Sequence, residues 1–141
     1  MSSKLSVLFL CTGNSCRSQM AEGWARHLRS QDFDAYSAGI ERHGLNPRAV
    51  MAMSEANVDI SGQQSQLLSE LDVEFDLVIT VCGNAHESCP LFPGKTKVVH
   101  APFDDPPFLS KKASNDEEAL PHYRRVRDEI RDFIADLKLG S

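Results

Sequence analysis

The run Cys11-Thr12-Gly13-Asn14-Ser15-Cys16-Arg17-Ser18 places a thiol, a guanidinium and a hydroxyl within one short stretch. It follows an apolar segment, Leu5 to Leu10, and precedes a helical pattern that starts near Gln19. A strand turning sharply into a helix leaves several backbone N–H groups aimed into one small space, and the helix dipole adds positive potential there. Such a space suits a tetrahedral oxyanion. A cysteine at its start is pushed toward thiolate, and an arginine at its end can fork onto two anion oxygens. An ordinary thiol titrates near pH ~8.5, so an efficient nucleophile at neutral pH needs that help. Thr12, Gly13, Asn14, Ser15 and Cys16 then form the oxyanion-binding loop with Arg17. The Ser18 hydroxyl supplies a further donor, and Cys16 packs within the loop.

Two more cysteines, Cys82 and Cys89, follow the apolar run Leu77-Val78-Ile79-Thr80-Val81. Catalysis, redox exchange, metal binding and plain burial are all open to them. Zinc held by Cys82, His86 and Cys89 lacks a clear fourth ligand for the usual tetrahedral site. Were Cys82 to Cys89 helical, their separation would span about 10.5 Å along the axis. A disulfide tolerates Cα atoms only up to about 7 Å apart. Oxidation of this pair would therefore force a helical segment there to unwind, and Gly83 with the polar Asn84 to Ser88 suits such a low-stability switch. Asp105, before Pro106, reads either as a general acid or as a turn-capping aspartate. Asp104 is structural. His27, His43, His86, His100 and His122 show no triad or metal spacing and serve as surface or packing residues.

The elements that position these groups can be read from periodicity. Lys4 to Leu10 is a buried strand, and Phe33 to Ala38, Leu77 to Val81 and Lys97 to Ala101 are further strands. Met20, Ala21, Trp24, Ala25 and Leu28 give a helix over Gln19 to Arg29, with Trp24 in the core and Glu22 favoured by the helix dipole. Asn46-Pro47 starts a second helix that stops at Asn57. Ser61 to Ser69 forms a turn plus a short helix, and Pro102 to Ser114 is irregular. The last helix carries Tyr123, Val126, Ile130, Phe133, Ile134 and Leu137 on one face, with Pro121 in its first turn. Alternating strands and helices predict a single α/β domain with a small four-stranded parallel sheet flanked by helices. Ligands bind at the carboxyl ends of such strands, where Cys11, Cys82 and Asp104-Asp105 all fall.

The chain has 141 residues, is 41% hydrophobic and carries a net charge of -5, an acidic balance that disfavours nucleic acid. No apolar segment approaches the ~20 residues of a membrane helix, and no secretory signal is expected, so a cytoplasmic location follows. In that reducing compartment four cysteines do not imply structural disulfides.

The spacing Cys11-x5-Arg17-Ser18 resembles the signature of the low-molecular-weight protein tyrosine phosphatases. The longer run Leu10 to Trp24 resembles one branch of that fold, the thioredoxin-coupled arsenate reductases. Further matches are Tyr36-Ser37-Ala38-Gly39-Ile40-Glu41, His43-Gly44-Leu45-Asn46-Pro47, Phe103-Asp104-Asp105-Pro106 and Arg125-Val126-Arg127-Asp128-Glu129-Ile130. The resemblance implies a cysteine relay: attack of Cys11 on arsenic, protonation of the leaving oxygen by Asp105, a Cys11–Cys82 disulfide and then a Cys82–Cys89 disulfide. It further implies thioredoxin as reductant, phosphate or sulfate as competing anions, no cofactor, and a monomer. Phosphatase activity needs only Cys11, Arg17 and Asp105, and a non-catalytic oxyanion- or arsenite-binding protein would use the thiols as ligands. Pro107 stands where the phosphatases place an aromatic residue, which disfavours aryl phosphates. Some relatives bind a monovalent cation through positions matching Asn14, Glu22 and Ser37 plus an aspartate. Gln66 replaces that aspartate, and His100-Ala101-Pro102 replaces the usual His-Trp-Gly.

Overall fold

A computed structural model describes residues 4–81 and 96–139. Cys82, His86, Cys89 and the expected switch between them lie outside the described residues. The chain runs β1 (Leu5–Cys11), α1 (Arg17–Leu28), β2 (Phe33–Gly39), α2 (Pro47–Glu55), a 3-10 turn (Leu68–Glu70), β3 (Leu77–Thr80), β4 (Lys97–His100), α3 (Pro106–Leu109) and α4 (Asp116–Asp136). The strands form one parallel sheet in the order β2-β1-β3-β4, as expected for a low-molecular-weight phosphatase-like α/β domain.

β1 is central, which explains its apolar run from Val7 to Leu10: both faces of that stretch are buried. Val7 and Phe9 join the main core with Met20 and Trp24 of α1, Met53 of α2 and Val126, Ile130 and Ile134 of α4. Leu8 and Leu10 face the other way, onto Ala38, Phe75 and Val78. Burying a Leu or Phe fully contributes roughly 1.5–3 kcal/mol each. With that anchoring on both faces, the carboxyl end of β1 is a rigid platform for Cys11. Trp24 is core, as its spacing predicts, and its indole N–H donates to the Arg127 carbonyl at 3.0 Å.

Several boundaries differ from expectation. α1 begins at Arg17 rather than Gln19, because the loop passes straight into the first turn through Met20 N–H to Cys16 C=O. Leu28 is 41% exposed, beyond the reach of the core. α3 interrupts the stretch expected to be irregular, since adjacent Pro106 and Pro107 hold φ near helical values at its first positions. α4 starts at Asp116, so Pro121 lies inside it rather than in its first turn. Asn115 accepts from Glu118 N–H, and three acidic residues in the first turn suit the dipole; together these extend the helix upstream of the proline. Glu22 sits in the second turn of α1, where Ser37 and Arg26 hold it, not the dipole.

Candidate active site

The β1–α1 loop is shaped by contacts made on its outer side. The Thr12 carbonyl accepts from Glu41 N–H at 2.9 Å, and the Gly13 carbonyl from His43 N–H and the Ser65 hydroxyl, both at 3.0 Å. The Asn14 carbonyl accepts from the Gln19 side chain, and the Ser15 carbonyl from Asn46 N–H, each at 3.0 Å. In a trans peptide the N–H points opposite the C=O. Tying four successive carbonyls outward therefore turns the N–H groups that follow them toward the inside of the loop.

Asn14 makes this turn possible. It adopts the left-handed conformation, φ 48°, which asparagine tolerates better than most residues. Its side chain accepts from Gln66 N–H at 2.8 Å and donates to the Ser18 hydroxyl at 2.9 Å, and all of Asn14 and Ser18 is buried. Gly39, paired with Cys11 across the sheet, is equally constrained. A Cβ there would lie 2.7 Å from the Thr12 carbonyl oxygen and 2.8 Å from Asn14 N, so only glycine lets the loop close onto β2.

The loop and its surroundings enclose a cleft of about 370 Å³ lined by Cys11, Thr12, Gly13, Ser15, Cys16, Arg17, His43, Asn46, Asp105 and Pro107. Cys11 is buried at its base, at the end of β1. Arg17 opens α1 and crosses to the far strand loop: Nη1 donates to the Phe103 carbonyl at 2.9 Å, and Nη2 lies 3.5 Å from Asp105 Oδ1. Its Nε is buried without a hydrogen-bond partner among the described residues. A buried charged donor in that state demands an acceptor, and an anion seated in the loop would supply it. Burial pushes the Cys16 thiol far up from its ordinary value, with Arg17 opposing and Asp105 adding to the rise, so Cys16 stays a thiol.

Asp105 makes no side-chain capping bond to α3, so the turn-capping alternative is not what its carboxyl does. It instead stands at the cleft beside Arg17, 41% exposed. Asp104 pairs with Arg125 at 2.8 Å, the structural role expected of it. Sequence reasoning missed His43 and Asn46 as cleft residues. Asn46 was legible only as the α2 cap, accepting from Arg48 N–H at 2.8 Å, yet it also holds Ser15 and donates to the Tyr123 hydroxyl at 3.1 Å.

The four positions of the relatives' cation site are adjacent here, but they do not fit a cation. Ser37 Oγ donates to the buried Glu22 carboxylate, and the Gln66 amide donates to the Ser37 carbonyl at 2.9 Å. With Gln66 N–H on the Asn14 side-chain oxygen, protein donors already engage the oxygens a cation would need. Burial raises the Glu22 carboxyl from its ordinary value, against the lowering effects of Ser37 and Arg26, which further disfavours Glu22 as an anionic ligand. Among the described residues, no group of three His, Cys, Asp or Glu side chains could hold a metal ion, and no helix is long and apolar enough to cross a membrane.

A strand-anchored thiol, an anion loop and an arginine–aspartate pair can carry out attack on a tetrahedral oxyanion and protonation of a leaving oxygen. Known proteins share this arrangement. The chain is 51% identical over 133 residues to an arsenate reductase of Bacillus licheniformis, covering 94% of each chain. It is 52% identical over 128 residues to an arsenate reductase of Halalkalibacterium halodurans, covering 90% of each. Among solved structures, an arsenate reductase in the phosphate-binding state superposes with a TM-score of 0.71 at 30% identity, over 92% of this chain and 93% of that one. The profile of the low molecular weight phosphotyrosine protein phosphatases matches residues 6–138, spanning the anion loop, Arg17 and Asp105 alike. With nearly the whole length matched, the chain belongs to the low molecular weight phosphotyrosine protein phosphatase family.

Proposed function

We propose that this protein reduces arsenate to arsenite in the cytoplasm, through a relay of Cys11, Cys82 and Cys89 that thioredoxin resets. The observation that carries the reading is Arg17: a part-buried guanidinium whose buried Nε has no partner among the described residues, beside a loop whose carbonyls are tied outward, in one cleft with the buried Cys11. Relatives at about half identity that are arsenate reductases support the choice of anion.

Arsenate sits in the loop from Thr12 to Arg17, and the Ser18 hydroxyl steadies the loop through Asn14. The Cys11 thiolate attacks arsenic, forming an S–As bond, while Asp105 gives its proton to the departing oxygen, which leaves as water. Cys82 then attacks Cys11 Sγ. The S–S bond forms, the S–As electron pair passes to arsenic, and arsenite leaves with arsenic reduced by two electrons. Cys89 attacks Cys82, freeing Cys11 as thiolate, and the Cys82–Cys89 disulfide accepts two electrons from the thioredoxin dithiol. The chemistry needs no cofactor or metal ion, and one monomer holds every group.

Weak hydrolysis of phosphate monoesters is the second reading, favoured by the family match and by Cys11, Arg17 and Asp105 sharing one cleft. The test is arsenate-dependent oxidation of thioredoxin by wild type, Cys82→Ser and Cys89→Ser. Wild type turns over continuously, Cys82→Ser releases no arsenite, and Cys89→Ser stops after one equivalent. Continuous reduction by Cys82→Ser would refute the relay. Absence of arsenate turnover in wild type, with ester hydrolysis intact in all three, would establish the second reading instead.

A further inference from the structure

We propose that His43, clamped by Glu41, is the residue that selects a free oxyanion over an ester at the mouth of the cleft, an inference that rests on the oxyanion reading of that cleft. His43 lines the cleft together with Asp105 and Pro107. Its backbone is fastened to the loop through His43 N–H on the Gly13 carbonyl at 3.0 Å, so the side chain has little freedom to drift away. The imidazole lies over Gly13 so closely that a Cβ on that residue would meet Nδ1 at 2.1 Å. A hydrogen at Gly13 is what admits the ring.

The ring's other nitrogen identifies what Nδ1 can do. Nε2 lies 2.7 Å from Glu41 Oε1. A carboxylate only accepts, so Nε2 carries the hydrogen and Nδ1 is the variable atom. In the neutral ring Nδ1 accepts; in the protonated ring it donates. A free arsenate or phosphate in the loop keeps terminal oxygens at the mouth, some as hydroxyl and some as oxyanion. Either state of Nδ1 finds a match among them. A phosphonate places carbon there instead, and a monoester places a bridging oxygen that carries carbon and has no hydrogen to donate, so the ring edge loses a matched partner. Sites built to hydrogen-bond a substrate group reject an analogue lacking it more strongly than apolar walls reject an added atom. Pro107, which also lines the cleft, offers no aromatic surface that would compensate such a carbon group.

The effect can be measured with two ligands that do not turn over: inorganic phosphate and phenylphosphonate, titrated calorimetrically into the reduced protein. His43→Ala is expected to weaken phosphate about tenfold and to narrow its advantage over phenylphosphonate by about the same factor, with an unchanged thermal midpoint. His43→Gln, whose amide can both accept and donate, is expected to recover most of the discrimination. Glu41→Gln, which no longer obliges Nε2 to be the donor, is expected to lie between wild type and His43→Ala. Equal weakening of both ligands in His43→Ala would show a merely structural role and overturn the proposal, as would no change in either. Neither ligand probes reduction, so failure here leaves arsenate turnover standing, and a protein unable to reduce arsenate can still pass.

Discussion

Arg17 and Asp105 face each other across the cleft, Nη2 to Oδ1 at 3.5 Å, although one opens α1 and the other precedes α3. The Phe103 carbonyl, 2.9 Å from Nη1, fixes the guanidinium from the same side. The pair thus joins the anion loop of β1 to the segment after β4, and it leaves Nε turned away from both contacts.

If Asp105 donates the proton to the leaving oxygen, Asp105→Asn should slow the first chemical step by roughly 10²–10⁴-fold, the range of general acid catalysis. Phosphate affinity should be retained or improved, because the substitution removes a negative charge from the mouth of an anion site. Single-turnover arsenate reduction and phosphate titration together check this. A loss confined to affinity would mean that Asp105 only positions Arg17.

Gln66 donates to the Asn14 side-chain oxygen and the Ser37 carbonyl, oxygens a cation would need, so stability should not distinguish potassium from tetramethylammonium at equal ionic strength. Gln66→Ala would strip the donor from the buried Ser37 carbonyl and should cost about 1–3 kcal/mol, the range for a buried group left unsatisfied. Chemical denaturation of both proteins in the two chlorides reads out each expectation. A potassium-specific gain in the wild-type protein would show that a cation competes successfully for these oxygens.

Glu22 makes stability depend on pH in a definite direction. Its folded carboxyl titrates above the unfolded value because of burial. The folded state then holds the proton more tightly, and stability contributed by this group falls as pH rises from the unfolded carboxylate value through the raised one. Below that window the cost is absent, and above it the cost is complete. Glu22→Gln removes the titration, so the difference in unfolding free energy between mutant and wild type should move in the mutant's favour as pH rises through the window. Urea denaturation from pH 4 to pH 8, within about the range over which carboxylates of this kind titrate, measures it. A difference that is flat with pH would mean that Ser37 and Arg26 fully offset the burial.

Local sequence determined most of the elements and the place of the loop thiol between strand and helix. β1 is apolar from Val7 to Leu10 because that stretch is buried on both faces, Asn46 caps α2 with its own side chain, and the loop from Cys11 to Ser18 falls where a strand gives way to a helix. Near-range chemistry of this kind is written in consecutive residues. Tertiary structure decided the rest, because the groups that complete the site come from elements far apart in the chain. Asp105 shows its carboxyl to be at the cleft rather than on a cap only once β4 delivers it beside Arg17. His43 is an unremarkable histidine in the sequence, and it lines the cleft only because its segment folds back along β2 to bind the Gly13 carbonyl. Gln66 gains meaning only where its donors meet Asn14 and Ser37, atoms that no spacing along the chain brings together.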